Sequence, residues 1–170
     1  MRIQQLADHD LVCVHEIDVS ERHNVIYRYT DGVLQTTAEQ WARPQWTQEE
    51  WQHRLQHWIA DLHPDRFLGA FVDERLVGLA SLRYRLTETM AQLTTLHVDC
   101  HHRRQGVARA LVEEVIRLVR ENGAQSLYVS GTESASAVSF YLSQGFRPTD
   151  EPDPALFALE PNDIHMVMPL

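Results

Sequence analysis

Ala91-Gln-Leu-Thr-Thr-Leu-His-Val-Asp99, then Cys100-His-His-Arg-Arg-Gln-Gly106, then Val107-Ala-Arg-Ala-Leu-Val-Glu-Glu-Val-Ile-Arg-Leu-Val-Arg-Glu121 is the stretch that decides the fold. The first segment reads as a strand, the second as a polar turn, the third as a helix. Ala108, Leu111, Val112, Val115 and Val119 recur at helical spacing and predict one buried face. Arg109, Glu113, Glu114, Arg117 and Arg120 predict the wet one, with Glu113 and Arg117 in the favourable i, i+4 order. Asn122-Gly123 is a C-terminal stop. Gln125 to Ser130 then reads as another strand. Strand, helix, strand over about 40 residues is a βαβ unit, so the two strands should run parallel through a right-handed crossover. Ligands in such units sit beyond the carboxyl ends of the strands. That is where Arg103-x-x-Gly106-x-Ala108 falls. The first N–H groups of a helix lack intrahelical partners and carry the positive end of the dipole, and Gly106 admits a close approach. A phosphate-bearing ligand is the expectation.

Working outward, Arg66–Val72 and Leu76–Arg85 read as a hairpin leading into the Ala91 strand, an antiparallel meander. Upstream, Thr47-Gln-Glu-Glu50 is a capping box. Trp51, Leu55, Trp58, Ile59 and Leu62 follow at helical spacing. Met1–Leu6 reads as a short strand, and Asp8 as the cap of a helix over Leu11 to Ile17. Asp18 to Thr37 carries Glu21, Asp31, Arg22, Arg28, Tyr27 and Tyr29 without a clear period. It reads as a solvated loop or as the wall of a cation site. Downstream, Ser134 to Ser143 is a short helix capped by Thr132 or Ser134. Asp150 to Asp163 is a loop with five acids, three prolines and no basic residue. Ile164–Met168 is a final strand.

The chain has 170 residues, which fits one domain spanning 1–170. Its net charge of −9 argues against nucleic acid as a main partner. No apolar run reaches the ~20 residues of a membrane span, and no leader pattern opens the chain. Two cysteines do not make a disulfide framework, so a cytoplasmic setting is expected. His53 and His57 lack a third ligand, and Asp99-Cys100-His101-His102 are neighbours that rarely converge on one ion. No metal is expected. Cys100, near a helix start, is a candidate reactive thiol.

Taken together, Leu96-His-Val98, Arg103-x-x-Gly106-x-Ala108, Ala137-x-x-Phe140-Tyr141-x-x-x-Gly145-Phe146 and the closing Met168-Pro-Leu170 resemble the GCN5-related N-acetyltransferase superfamily. The resemblance covers Arg66 to Leu170 well and the N-terminal third weakly. It implies an α+β fold: a mixed, mostly antiparallel sheet with a splayed parallel pair and flanking helices. It also implies acetyl-CoA in the splay, with the pantetheine arm on Leu96, His97 and Val98. The pyrophosphate would rest on Arg104, Gln105, Gly106, Val107 and Ala108, with charge from Arg103 and Arg104. Ser134, Ala137 and Phe140 would complete the cofactor wall. Tyr141 would protonate the leaving thiolate, and a backbone N–H near Val98 would meet the oxyanion.

Two positions depart from that pattern. Gln92 stands where many relatives carry a Glu base, and an amide cannot take a proton. His97, Glu88, or a water chain ending on Glu16, Asp18 or Glu21 remain as bases. Ser134 stands where relatives often have Asn. The acidic stretches around Glu16, Asp18 and Glu21, with Tyr27 beside them, and Asp150–Asp163 point to a cationic amine acceptor, a small molecule or a peptide. Transfer to protein N-termini or lysines, and a non-catalytic acyl-CoA-binding module, stand as alternatives. Whether the chain acts alone or as a homodimer is open.

Overall fold

The computed structural model describes residues 1–170. Its centre is a seven-stranded sheet in the order β1 (Arg2–Leu6), β4 (Arg66–Val72), β5 (Arg75–Arg83), β6 (Met90–Val98), β7 (Ser126–Gly131), β9 (Ile164–Pro169), β8 (Arg147–Pro148). All neighbours run antiparallel except β6 and β7, the pair joined through helix α2 (Val107–Glu121). On one face lie α2 and α3 (Ala135–Gln144). The α2 stripe Val107, Leu111, Val112, Val115 and Val119 is buried there against Ala80, Leu82, Leu93 and Val129. Full burial of each larger aliphatic side chain is worth roughly 1.5–3 kcal/mol. The other face carries α1 (Gln48–Leu62), whose Trp51 and Leu55 pack on Leu76 and Leu79, and α4 (Pro154–Leu159), whose Leu156 meets Leu62 and Tyr128. No helix is long and apolar enough to cross a membrane.

Three local readings change. Asp18 to Thr37 is not a loop: residues 21–43 form a separate two-stranded sheet, β2 (Glu21–Thr30) and β3 (Val33–Arg43). Asp31 and Gly32 turn it with φ of 52° and 76°, the two positive values that an Asp-Gly hairpin turn demands. The Asp8 helix is a 3-10 segment, Asp8–Glu16, capped by Ala7 rather than Asp8, with the Ala7 N–H donating to the Asp10 carboxylate. The acidic loop contains α4, opened by Asp153, whose carboxylate accepts from the Ala155 and Leu156 N–H groups, with Pro154 at the first helical position.

The β6 strand carries one residue too many. Ser81 faces Thr95, but the next residue, Leu82, faces Leu93, so Thr94 is a bulge. Both threonine hydroxyls bond the buried Ser81 Oγ, at 2.6 and 2.7 Å. Pairing of β6 with β7 covers Met90–Leu93 and stops there. From Thr94 to Val98 the edge of β6 that faces β7 has no strand partner.

The end of β6 is tied down by Asp99, which is fully buried. Its carboxylate accepts from the Asp18 N–H, the His101 N–H, the His102 ring and the Arg75 guanidinium, at 2.9 to 3.1 Å. Four donors outweigh the cost of burial and hold its pKa below the usual carboxyl range. Its stabilisation is therefore full above the unfolded carboxyl pKa of ~4 and fades as pH falls through the lower folded value. Asp99→Asn turns one acceptor oxygen into a donor facing donors. It should cost about 3 kcal/mol in urea unfolding at pH 7, and the deficit should shrink below pH ~3.

Candidate active site

The splay of β6 from β7 opens a cleft of about 1380 Å³ through the sheet. Residues 93–98 of β6 line it, with Val129 and Ser130 of β7 opposite. Its floor toward α2 is Arg104, Gly106, Val107 and Ala108. Gly106 caps α2 at φ 85°, a conformation costly for any residue with a Cβ, and nothing lies within 4 Å of where that Cβ would stand. The first intrahelical bond goes from Ala110 to the Gly106 carbonyl, so the N–H groups ahead of it are free. A row of unpartnered strand backbone leading to an open helix N-terminus suits a ligand with an amide-bearing arm and a phosphate group.

The α3 side supplies Ala137, Phe140 and Tyr141. Tyr141 is nearly buried, and its ring rests on Gly131: a Cβ there would stand 3.0 Å from two ring carbons. Burial, then Asp163 and Glu160, raise the Tyr141 pKa, so the phenol keeps its proton at any ordinary pH. Ile164 pairs with Gly131, which sets Asp163 just past the end of β7, on the same cleft as Tyr141. Burial, reinforced by Glu160 and Glu133, pushes the Asp163 carboxyl up to about 7. Glu160 is also raised by burial. A hydrogen-bond network converges on the Glu160 carbonyl, which also accepts from the Asp163 N–H. The Asp153 N–H donates to the Tyr128 hydroxyl, which donates to His165 Nδ1, and His165 Nε2 donates to the Glu160 carbonyl.

The expected site residues divide clearly. Leu96, His97, Val98, Arg104, Gly106, Val107, Ala108, Ser134, Ala137, Phe140, Tyr141 and Glu21 all face the cleft. Arg103 also reaches it, but its guanidinium bonds the Val19 and Ser20 carbonyls and lies near Glu21, so Arg104 is the uncommitted cation of the turn. Gln105 turns away to the His101 carbonyl. Ser134 spends its oxygen capping α3 at the Ala137 N–H. Glu88 is exposed at the opposite, N-terminal end of β6 and does not line the cleft. Gln92 is shut in before the bulge, with its Oε1 unpartnered.

Three of the four expected acceptor residues are elsewhere. Tyr27 lies against Ser139. Glu16 contributes its backbone carbonyl to Arg75. Asp18 is drawn to the turn, where its carboxylate, the Cys100 sulfur and the His101 ring have donor atoms within 4.8 Å of one another. Burial and that carboxylate raise the Cys100 pKa, so the thiol is not an activated nucleophile. His97 sits among Trp46, Trp51 and Trp58, and burial, with Arg43, Arg54 and Arg103 close by, holds its pKa well below 6.5. It is neutral near pH 7 and a weak base. Asp163 was hidden in an undivided acidic loop; the Asp-Ile-x-Met opening of the last strand was the only local cue.

Asp163 titrates near neutrality because it is held in the folded cleft. An unfolded Asp ionises near ~4, so above that pH the folded state binds the extra proton and loses stability until about pH 7. Asp163→Asn should therefore raise the melting temperature at pH 8 while changing it little at pH 4. A carboxyl resonance titrating near pH 7 in wild type, absent in the variant, checks the assignment.

A family model described as Acetyltransferase (GNAT) family matches residues 33–146. Human N-acetyltransferase 8 is 42% identical over 90 residues, which is 50% of this chain and 40% of that protein. The chain thus matches well under half the length of that relative. Among solved structures, nourseothricin acetyltransferase superposes with a TM-score of 0.76 at 23% identity over 99% of this chain and 97% of its own. The PaiA N-acetyltransferase from Thermoplasma acidophilum, crystallised with coenzyme A, gives 0.63 at 18% identity over 99% and 98%. At these identities the likeness is one of fold.

Proposed function

The chain belongs to the GNAT acetyltransferase family, and from that membership we propose that it is an acetyl-CoA-dependent N-acetyltransferase acting by direct transfer to a primary amine. The observation that carries this reading is the Thr94 bulge, which opens β6 from β7 beside a phenol that stays protonated. Bound in the cleft, acetyl-CoA supplies an acetyl group activated as a thioester. The unpaired edge of Leu96–Val98 would hold its amide-bearing arm, and the free N–H groups at the start of α2, with Arg104, its phosphates. Backbone N–H groups on that same edge would face the carbonyl oxygen as it gains charge.

Proton traffic then falls to two side chains. Above pH about 7 Asp163 is ionised and can take a proton from the incoming ammonium, which then attacks as a free amine. Tyr141 gives its proton to the departing sulfur. The acids at this end, Asp163 and Glu160, also favour an acceptor that arrives positively charged, a small molecule or the end of a peptide.

Tyr141→Phe should lower kcat by about 100-fold or more at unchanged CoA affinity, measured by thiol release and by calorimetry. A normal kcat would remove Tyr141 from the chemistry. In wild type kcat/KM should rise with pH through about 7 and then level. Asp163→Asn should flatten that limb, and an unchanged profile would assign the base elsewhere.

A further inference from the structure

The wall of the cleft away from Asp163 has the opposite character. Trp46, Trp51 and Trp58 enclose His97, which stacks on Trp58 with ring centroids 5.1 Å apart and planes 20° from parallel. Three arginines stand around this box, and two are already engaged. Arg43 donates to the Val19 carbonyl and pairs with Glu21, and Arg103 donates to the neighbouring carbonyls.

Arg54 differs. It projects from α1 into the cleft mouth, exposed, with its guanidinium carbon 3.9 Å above the Trp46 ring centre. It makes no hydrogen bond and has no carboxylate within ion-pair distance. Glu50, one turn before it, accepts from the Thr47 N–H in the capping box at 2.7 Å and feels the Arg54 charge without pairing with it. Stacking on the indole fixes the plane of the guanidinium and leaves its edge donors facing the cleft. An aromatic box normally takes a cation, but this one already contains the protein's own. Its complement is an anion attached to a flat or apolar body.

We propose that the cleft is bipolar and selects a zwitterionic acceptor, a short peptide whose amine and terminal carboxylate stand far enough apart to reach both walls. Its amine would lie at Asp163, its carboxylate on Arg54, and its apolar body against Trp46 and Trp58. This rests on the transferase reading above and narrows its acceptor from amines in general to amines that also carry a carboxylate.

Acetylation of phenylalanine-containing di-, tri- and tetrapeptides and of their C-terminal amides, amines with and without the carboxylate, reads the preference directly. For the peptides that span the cleft, wild type should favour the free acid over its amide by about 10-fold or more in kcat/KM. In Arg54→Gln that ratio should collapse toward one, and Arg54→Lys should keep part of it. A binding arm needs no turnover: 3-phenylpropionate should quench tryptophan emission at lower concentration than 3-phenylpropanamide, and Arg54→Gln should erase the difference. Equal use of free acid and amide at every peptide length by wild type overturns this inference and leaves the transferase reading intact. Quenching that depends on the carboxylate and on Arg54, with no amine acetylated, supports the anion site and removes the transferase reading. No difference in either arm overturns the proposal.

Discussion

One extra residue in β6 governs the rest of the molecule. With Thr94 inserted against β5, the strand bends and leaves β7 after four paired residues, Met90 to Leu93. A regular strand would have continued the ladder and closed the sheet, with no space between its parallel strands. The bulge also shifts which side chains face which layer. Leu93 and, beyond the extra residue, Leu96 and Val98 point to the α2 side, while His97 points to the tryptophans of α1. The cost is a row of backbone groups without strand partners, which a closed sheet would not tolerate. Ser81 steadies the irregularity through both threonine hydroxyls, and Asp99 anchors the strand end beyond it.

The charges follow from that opening. The negative total of the chain is not spread evenly around the cleft. Asp163 and Glu160 sit past the end of β7, where burial disfavours their charge, raising both carboxyls and bringing Asp163 to about 7. Arg43, Arg54 and Arg103 gather at the other wall, where burial, reinforced by their charge, keeps His97 neutral. Tyr141 stands between the carboxyl ends of the strands and the acids, locked against Gly131. The same burial that makes Asp163 useful as a base costs stability above pH ~4. The protein carries that cost at its site and offsets it with ordinary packing elsewhere.

The periodic parts of this fold were legible from residue types alone. The α2 stripe, the capping box at Thr47, the hairpin before β6 and the parallel crossover all repeat a local rule over many residues. The Gly106 turn was legible because only one residue type suits its backbone. The bulge was not, since Thr94-Thr95 reads as unbroken strand until Ser81 is placed opposite. The ties of Arg103 and Asp18 were hidden for a related reason: their partners lie about 80 residues away, at Val19 to Glu21 and at Asp99. The β2–β3 hairpin did carry a signal, Asp31-Gly32 between β-branched and aromatic runs. The mixed charges around it masked the alternation. Gln92 matched a family position by spacing, yet spacing cannot show that its side chain is sealed from the cleft.

The central claim is that the strand edge freed by the bulge, together with the open start of α2, is where coenzyme A binds. Amide hydrogen exchange with and without coenzyme A tests it most directly. The account predicts new protection at Thr94–Val98 and at Val107–Arg109, with Met90–Leu93 unchanged because those groups are already paired to β7. Saturating coenzyme A that leaves both segments exchanging as before would contradict it.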